Sequence, residues 1–464
     1  MKAAIGRVLR LPRVLFALGE ASNALTLVLF ALLARFLGVE LYGSFIALSA
    51  ISGILSELVQ LGFPSLITRT VAQDRRLAWV EVSRALRYQL IMCIPVLVIL
   101  VGYMKVARFP ADLYVPGLLI GLSLCFRSMK MTLRGVCRGL GDFGTETLFL
   151  WIERGVLLGI CVVAVIASRN LLTLALVFFV VRALDFLVFL AVIWKRVDGQ
   201  GTRHLVSTTT VGSMISFAVA GLMTSMYYQI DTAMLPILST PYDAGIYGAL
   251  YRFVDLIQVL PRLILVVGFP ALVLLWKEDT GRFGETFVQL RRFLSFLGLP
   301  ALLVAILFSG RVLALAFGEE YRGGAPALVY LLVAMLFAFH SMLLSQVLKA
   351  SEHEAGLARV LVITVLFNIG LNILLIPAHG FSGAAFAMLL TEVVYYLLLV
   401  TLIHRTEILG VRAAGLVEAA ALVLIVGTAW GTSRVPSPWR ETLTAAACLW
   451  IMAKTRPNLS RLKG

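Results

Sequence analysis

The feature that most constrains this chain is a series of apolar stretches, each about as long as the ~20 residues a helix needs to cross a bilayer. They fall at 15–35, 44–66, 88–107, 114–133, 147–167, 171–194, 209–231, 244–274, 293–316, 325–348, 357–378, 382–403, 412–430 and 440–453. The last is short and weak, and 244–274 is long enough to tilt or bend. The chain is 60% hydrophobic and only 14% charged, whereas a soluble globular domain carries about 25% charged residues. The expected fold is therefore an all-α polytopic membrane protein with about 14 transmembrane helices.

The net charge of +15 does not point to nucleic acid, because the basic residues form no single basic domain. They sit in short loops. With the N-terminus placed in the cytoplasm, 27 of the 40 Lys and Arg fall in cytoplasmic segments. Arg35, Lys105, Arg108, Arg169, Arg311, Arg322, Arg434 and Arg440 fall outside. Five lie within spans: Arg127, Arg154, Arg182, Arg252 and Arg262. Positive charge concentrates on the cytoplasmic side of membrane proteins, so both termini are expected there. Lys2, Arg7, Arg10 and Arg13 precede a long first span with no small-residue cleavage site after it, which reads as an uncleaved first helix. The five cysteines lie in or beside apolar spans and form no CxxC pair, so they read as small core residues. The five histidines share no ligand spacing, and no metal site is expected.

The chain echoes itself. Tyr42-Gly43 followed by Gly62-Phe63-Pro64 returns as Tyr247-Gly248 followed by Gly268-Phe269-Pro270, at offsets of 205 and 206 residues. Arg134 and Lys349 close the fourth and tenth spans at a similar offset. Two halves of six spans each start on the same side of the membrane. They are then related by a pseudo-two-fold axis along the membrane normal, with a cavity between them. The polar 195–207 stretch is the linker. The expected organisation is an N-lobe over 1–200, a C-lobe over 201–405, and two additional helices with a cytoplasmic tail over 406–464.

Ionisable groups at membrane depth are costly and usually functional. Arg182 and Asp185 are three apart, as are Arg252 and Asp255, and each pair shares a helix face. Two readings stand: a locally neutralised pair that lets the helix insert, or a cavity wall with spare positive charge. Arg127, Arg154 and Arg262 have no carboxylate four residues away. Guanidinium is the natural partner of phosphate, so the arginines would suit an anionic substrate, although Arg127 and Arg262 could also snorkel to the span ends. Glu57, central in the second span, is either hydrogen-bonded to a neighbouring span or titratable; Glu392 raises the same question. His340 reads as a packed, hydrogen-bonded histidine, and Gly380 and Gly383 as close helix packing.

These residues resemble a family. The pattern is Leu-Gly…Tyr-Gly opening the second span, Arg-Gly…Gly-Leu-Gly after the fourth, Gly-Ile-Tyr…Tyr-Arg in the eighth, and Asn…Asn…Ile-Pro…Gly…Gly-Ala-Ala across the eleventh and twelfth. It is similar to the oligosaccharide-lipid flippases, the polysaccharide transport branch of the multidrug/oligosaccharidyl-lipid/polysaccharide (MOP) exporter superfamily. The resemblance covers about residues 1–405. It implies two six-helix lobes working by alternating access in the cell inner membrane. It also implies a polyprenyl-diphosphate-linked oligosaccharide as cargo, for O-antigen, capsule or exopolysaccharide, with the last two helices forming a groove for the lipid tail. Membrane lipids, a polysaccharide polymerase and glycosyltransferases would be its partners. On this basis Arg154, Arg182, Arg252, Asp255, Arg127 and Glu57 are the candidate substrate-binding residues.

The lipid II flippases of the superfamily carry cavity arginines in their first two spans; here those spans hold Glu20, Arg35 and Glu57. That departure favours a polysaccharide repeat unit over the peptidoglycan precursor. Rival readings are a drug/cation antiporter of the same superfamily, a major-facilitator carrier, whose loop motif Asp74-Arg75-Arg76 faintly matches without its glycines, and a membrane glycosyltransferase or polymerase. The last would need a long catalytic outside loop, so no enzyme activity is expected. No nucleotide-binding motif is present, so transport would draw on the cargo gradient or on a Na+ or H+ gradient. Asp231, Asn368, Asn372 and Thr391 resemble the sodium site of the lipid II flippase branch, with Asn372 where that branch has a second acid. A carboxylate, amide oxygens and a hydroxyl are hard oxygen ligands, and one negative charge suits a monovalent ion. The two asparagines could equally hydrogen-bond between helices, and Glu57 or Glu392 could carry protons.

Overall fold

The computed structural model describes residues 18–406, apart from 20 and 198–210, together with 408. The basic N-terminal segment, Glu20, most of the linker, the expected helices at 412–430 and 440–453 and the tail lie outside the described residues. Within them the regular structure is helical. The α-helices are α1 (Asn23–Leu37), α2 (Val39–Gln60), α3 (Phe63–Gln73), α4 (Ala78–Val106), α5 (Tyr114–Leu140), α6 (Phe143–Ser168), α7 (Leu171–Val197), α8 (Val211–Leu238), α9 (Pro241–Glu278), α10 (Thr280–Phe317), α11 (Ala325–Ala350) and α12 (Glu354–Arg405). Seven of the described helices are long and apolar enough to cross a membrane, which makes this a multi-pass membrane protein. The chain divides into two compact units, residues 1–248 and 249–464, and the cut falls inside α9.

In the first unit, α2 and α3 are one hydrophobic run broken at a single point. Leu61 and Gly62 both take the left-handed conformation (φ 41° and 70°), which glycine adopts without strain. Pro64 then fits the first turn of α3, where no amide hydrogen is needed. The redirected α3 lies against α5 at very close range. A Cβ on Gly135 would fall 2.6 Å from the Pro64 carbonyl oxygen, and one on Gly139 would fall 2.9 Å from that of Thr68. The Thr68 hydroxyl donates to the Gly135 carbonyl at 3.1 Å. Phe63, Ile67 and Val71 of α3 thereby join Ala78 and Val82 of α4, Met129, Leu133 and Val136 of α5, and Phe186, Phe189 and Ile193 of α7 in one buried cluster.

The echoed Tyr-Gly pairs have a structural consequence in the same unit. Tyr42 and Tyr247 are both fully buried. The start of α9 lies almost backbone to backbone on α2. A Cβ on Gly43 would strike the Pro241 carbonyl and lie 2.7 Å from the Gly245 nitrogen; one on Gly245 would strike the Val39 carbonyl; one on Gly248 would fall 2.7 Å from Ile46. Small residues allow such approach where lipid supplies no hydrophobic drive between helices. The other echoed motif behaves differently in the two places. Gly62-Phe63-Pro64 breaks a helix, whereas α9 runs without interruption through 268–270. A turn needs the surrounding backbone to accept it, and the tripeptide alone does not impose one.

In the second unit, α11 is the buried centre. Every residue from Leu331 to Ser341 is buried, and α10 and α12 pack on it. At a 1.5 Å rise per residue, 52 residues of straight helix would run about 78 Å, far more than a bilayer. α12 is not straight. Gly380 carries non-helical dihedrals (φ 53°, ψ −133°) just after Pro377. The chain then folds back on itself: Gly383 abuts the Leu375 carbonyl, Asn368 bonds Thr391, and Gly356 meets Leu402. Contacts between positions that diverge evenly from 380 are those of an antiparallel hairpin. The apolar stretches 357–378 and 382–403 are its two arms.

The glycine contacts generate a prediction. Replacing Gly43 by Val forces the α2 and α9 backbones apart, so an overpacking cost of about 1–3 kcal/mol is expected. Gly102 of α4 has nothing within 4 Å of its would-be Cβ, so Gly102→Ala leaves stability unchanged or raises it by up to ~1 kcal/mol. Thermal unfolding of the detergent-solubilised protein separates the two variants.

Candidate functional site

The first unit holds a buried ionic network built by three helices. Ser123, Arg127 and Lys130 recur at four- and three-residue spacing, on one face of α5. Arg182 and Asp185 share a face of α7, and Glu153 projects from α6. Lys130 is only 3% exposed. Its Nζ lies 2.7 Å from Glu153 Oε2 and 2.5 Å from Asp185 Oδ2, and it donates to the Phe149 carbonyl at 3.3 Å. Arg182 is held more loosely. Its Nε lies 3.8 Å from Glu153 Oε1. Its Nη1 donates to the Ser123 hydroxyl at 3.1 Å, and its guanidinium stacks over the Phe178 ring, 5.1 Å from the centroid. Arg127 is exposed and within electrostatic reach of Glu57, Glu153 and Arg182.

This geometry corrects the sequence reading at three points. Lys130, counted there with the loop, is a sixth basic residue inside the spans. Asp185, which on one of the two sequence readings neutralises Arg182 along α7, forms its ion pair with Lys130 of α5. Glu153, which the spacing of charges along α6 does not single out, is the carboxylate that Lys130 and Arg182 share. Lys130 and Arg182 against Glu153 and Asp185 make a neutral set of four. The signal for Lys130 was present in its spacing from Arg127, but which carboxylates it meets is decided by how α5, α6 and α7 pack.

The remaining candidates are placed as follows. Arg154 donates to the Gly19 carbonyl at 3.2 Å and to the Ser22 hydroxyl, about 100° around α6 from Glu153. Glu57 of α2 accepts from Gln60 at 3.2 Å, and its carboxylate lies against Gly221 of α8, 2.8 Å from a would-be Cβ. Asp231 of α8 is 4% exposed and accepts from the Tyr247 hydroxyl at 2.7 Å. Two residues along, the Ala233 carbonyl accepts from Tyr103 of α4 at 2.8 Å, beside the helix-disrupting Pro236. Such substitutes commonly satisfy backbone groups near a proline in a membrane helix.

In the second unit, Arg252 Nη1 lies 2.8 Å from Asp255 Oδ2, so this pair does form along its own helix. Arg262 donates to Gln258 at 3.2 Å. Across the α12 hairpin runs a directed series of bonds. Asn372 donates to the Asn368 oxygen at 3.0 Å, Asn368 donates to the Thr391 hydroxyl at 3.2 Å, and Thr391 donates to the Ala387 carbonyl at 2.8 Å. His340 is hydrogen-bonded at both ring nitrogens: Nδ1 to the Leu336 carbonyl at 2.7 Å and Nε2 to Ser295 at 3.0 Å. Asp231 belongs to the first unit and Asn368, Asn372 and Thr391 to the second.

Burial ranks these charges. Removing one partner of a buried pair strands the other at a cost of about 3–5 kcal/mol; for partly exposed pairs the cost is about 0–1 kcal/mol. Lys130→Ala is therefore expected to lower the unfolding temperature strongly. Arg252→Ala should lower it less, since the Arg252 and Asp255 side chains keep 26% and 33% of their surface uncovered, against 4% and 7% for Lys130 and Asp185. A scan of both variants in detergent checks the order.

The profile of a family described as "Polysaccharide biosynthesis protein" matches residues 13–276, more than half of the chain. Two curated proteins of Haloferax volcanii are similar in part. "Probable flippase AglR" is 32% identical over 189 residues, 39% of each chain. "Probable low-salt glycan biosynthesis flippase Agl15" is 25% identical over 167 residues, 36% of this chain and 35% of the other. The matched segment thus spans about two fifths of those relatives' length. Among solved structures, an inward-facing multidrug resistance MATE family transporter of the MOP superfamily superposes with TM-score 0.69 at 12% identity, covering 84% of this chain and 95% of that one. The lipid II flippase MurJ, in an inward closed conformation, superposes with TM-score 0.66 at 13% identity, covering 97% and 99%. At such low identity these likenesses establish the fold and nothing finer. The profile match, which runs over the first nine helices, places the chain in one family: it belongs to the polysaccharide biosynthesis proteins.

Proposed function

We propose that this protein is a flippase that carries polyprenyl-diphosphate-linked oligosaccharide repeat units across the cell inner membrane by alternating access. The observation that carries the reading is the family match, supported by curated relatives named as glycan flippases on a fold that a lipid II flippase also has. The fuller architecture belongs to the same proposal: fourteen spans, two six-helix lobes with a pseudo-two-fold along the membrane normal, two additional helices, and both termini in the cytoplasm. A polymerase and glycosyltransferases would act after and before it. The protein moves its cargo and makes or breaks no covalent bond in it.

The cargo's diphosphate needs cations at membrane depth. Arg182 with the exposed Arg127 in the first unit, and Arg252 in the second, are the groups to supply them, with Arg154, Asp255 and Glu57 shaping the surroundings. The ion-pair geometry makes Arg182 the more telling of these, because among the described residues its nearest carboxylate oxygen sits at 3.8 Å. Coupling to Na+ would use Asp231, Asn368, Asn372 and Thr391. Here the oxygens of Asn368 and Thr391 already accept amide hydrogens, and Asp231 accepts from Tyr247. Sodium would thus exchange places with hydrogen-bond donors. Coupling to H+ would fall on Glu57 or Glu392.

Flipping of a fluorescent polyprenyl-diphosphate glycan by the purified protein in liposomes tests the reading. Transport is expected, with Arg252→Ala losing most of it and Arg252→Lys recovering part, since lysine lacks the bidentate fork. An imposed sodium gradient is expected to accelerate flipping, and Asp231→Asn to abolish the acceleration. No transport of the glycan in either direction overturns the flippase reading; transport indifferent to sodium and to Asp231→Asn removes the sodium site alone. For topology, a reporter active only in the periplasm and fused after Gly464 is expected to stay silent.

A further inference from the structure

The ionic network of the first unit holds its two cations unequally. One carboxylate, Glu153, faces two cations. Its Oε2 is 2.7 Å from Lys130, and its Oε1 is 3.8 Å from Arg182. The shorter contact is a charge-assisted hydrogen bond; the longer one exceeds hydrogen-bond length. Lys130 is fixed from several directions at once, by Glu153, by Asp185 and by the Phe149 carbonyl, with the Phe149 and Phe189 rings about it at 6.0 and 5.8 Å. Among the described residues Arg182 has a neutral hydroxyl, an aromatic face and the distant carboxylate oxygen. Its side chain is less covered by protein, with 14% of its surface exposed, while Lys130 retains 4%. The exposed Arg127 adds a second cation in electrostatic reach of Arg182 and Glu153.

We propose that Arg182 is an anion-exchange site, at which Glu153 serves as an internal counter-ion that a phosphoryl or diphosphate group displaces, and that Lys130 is the positioning residue that retains Glu153 during the exchange. The physical logic is a comparison of two states. In the empty state Arg182 would be an isolated buried cation without Glu153, which is strongly disfavoured. In the loaded state Glu153 would be an isolated buried anion without Lys130, which is equally disfavoured. Lys130 removes the second cost, because it holds Glu153 through the oxygen that Arg182 does not use. Asp185 balances Lys130, so the arriving anion adds its charge beside Arg182 and Arg127 and not beside an unpaired carboxylate. The guanidinium is suited to the role: its planar N–H groups donate to two phosphate oxygens side by side.

The proposal rests on the reading of a diphosphate-bearing cargo, and the test separates the two. The full-length protein in detergent is titrated with inorganic pyrophosphate by calorimetry, and in parallel with sulfate. The parent is expected to bind pyrophosphate, and Arg182→Gln to bind it at least about tenfold more weakly. Glu153→Gln removes the competing anion, so it is expected to bind several-fold more tightly than the parent. Lys130→Gln frees Glu153 to clamp Arg182 and is expected to bind about tenfold more weakly, and Lys130→Gln/Glu153→Gln to recover at least the parent affinity. Recovery by removing a second residue is not what a merely structural lysine would show. Tighter binding by Glu153→Gln is readable even if the single lysine variant fails to fold. If the parent binds no pyrophosphate, the diphosphate reading falls and this inference with it. If the parent binds but Glu153→Gln is no tighter, or Lys130→Gln is no weaker, Glu153 is not a counter-ion held for exchange, and only this inference falls.

Discussion

A lysine ammonium at 3% exposure inside a lipid-embedded helix can exist only if its charge is answered in place, and the first unit is arranged around that requirement. Lys130 of α5 draws Glu153 of α6 and Asp185 of α7 to within ion-pair distance. Three helices that lipid alone would leave free to slide therefore have a common register. The same contacts set the state of Arg182, because the carboxylate bonded to Lys130 at 2.7 Å through Oε2 leaves its Oε1 3.8 Å from the guanidinium. Buried charges of this kind are weak sources of net stability but strong sources of specificity, since any mispacked arrangement would leave one of them stranded.

Around this network the packing is made of backbone approach more than of side-chain bulk. Gly43 and Gly245 bring α2 and α9 together, and Gly135 and Gly139 bring α3 onto α5. In hydrocarbon the gain from association comes from close contact and hydrogen bonding. Positions without a side chain are thus where one helix fits another. The second unit uses the same means at the α12 hairpin. Its tip is a left-handed glycine, Gly383 lies against a carbonyl across the turn, and amide bonds from Asn372 through Asn368 to Thr391 join the arms. An asparagine pair that reads from sequence as possible ion ligands is, in this state, part of a hydrogen-bond series in which the Asn368 and Thr391 oxygens are already accepting.

The family assignment and the local chemistry support each other without being the same argument. Profile and fold establish the class of protein. They say nothing about which cation is loosely held. That distinction comes from distances: 2.7 Å at Lys130 against 3.8 Å at Arg182, from opposite oxygens of one carboxylate.

Much of the helical plan was legible in the residues, because crossing a bilayer demands about 20 apolar residues at a time and leaves a hydropathy signal no soluble helix needs. The stretches at 357–378 and 382–403 emerged as the arms of the α12 hairpin even though its helix is continuous apart from Gly380. The pair Arg252–Asp255 was legible too, because both ends lie on one helix and spacing alone brings them together. The pair Arg182–Asp185 has the same spacing, yet Asp185 turned to Lys130. Spacing records only neighbours along a helix, and a shorter-range partner from another helix outbids it when packing supplies one. The echoed Gly-Phe-Pro likewise breaks the chain after α2 and not within α9. What the sequence determined by itself was the helices, their apolar faces and the list of costly charges, since each follows from residues close together in the chain. Which charges pair, which glycines meet a backbone and which arginine is left loosely held were decided only by tertiary structure, because those energies depend on distances between helices that no local pattern encodes.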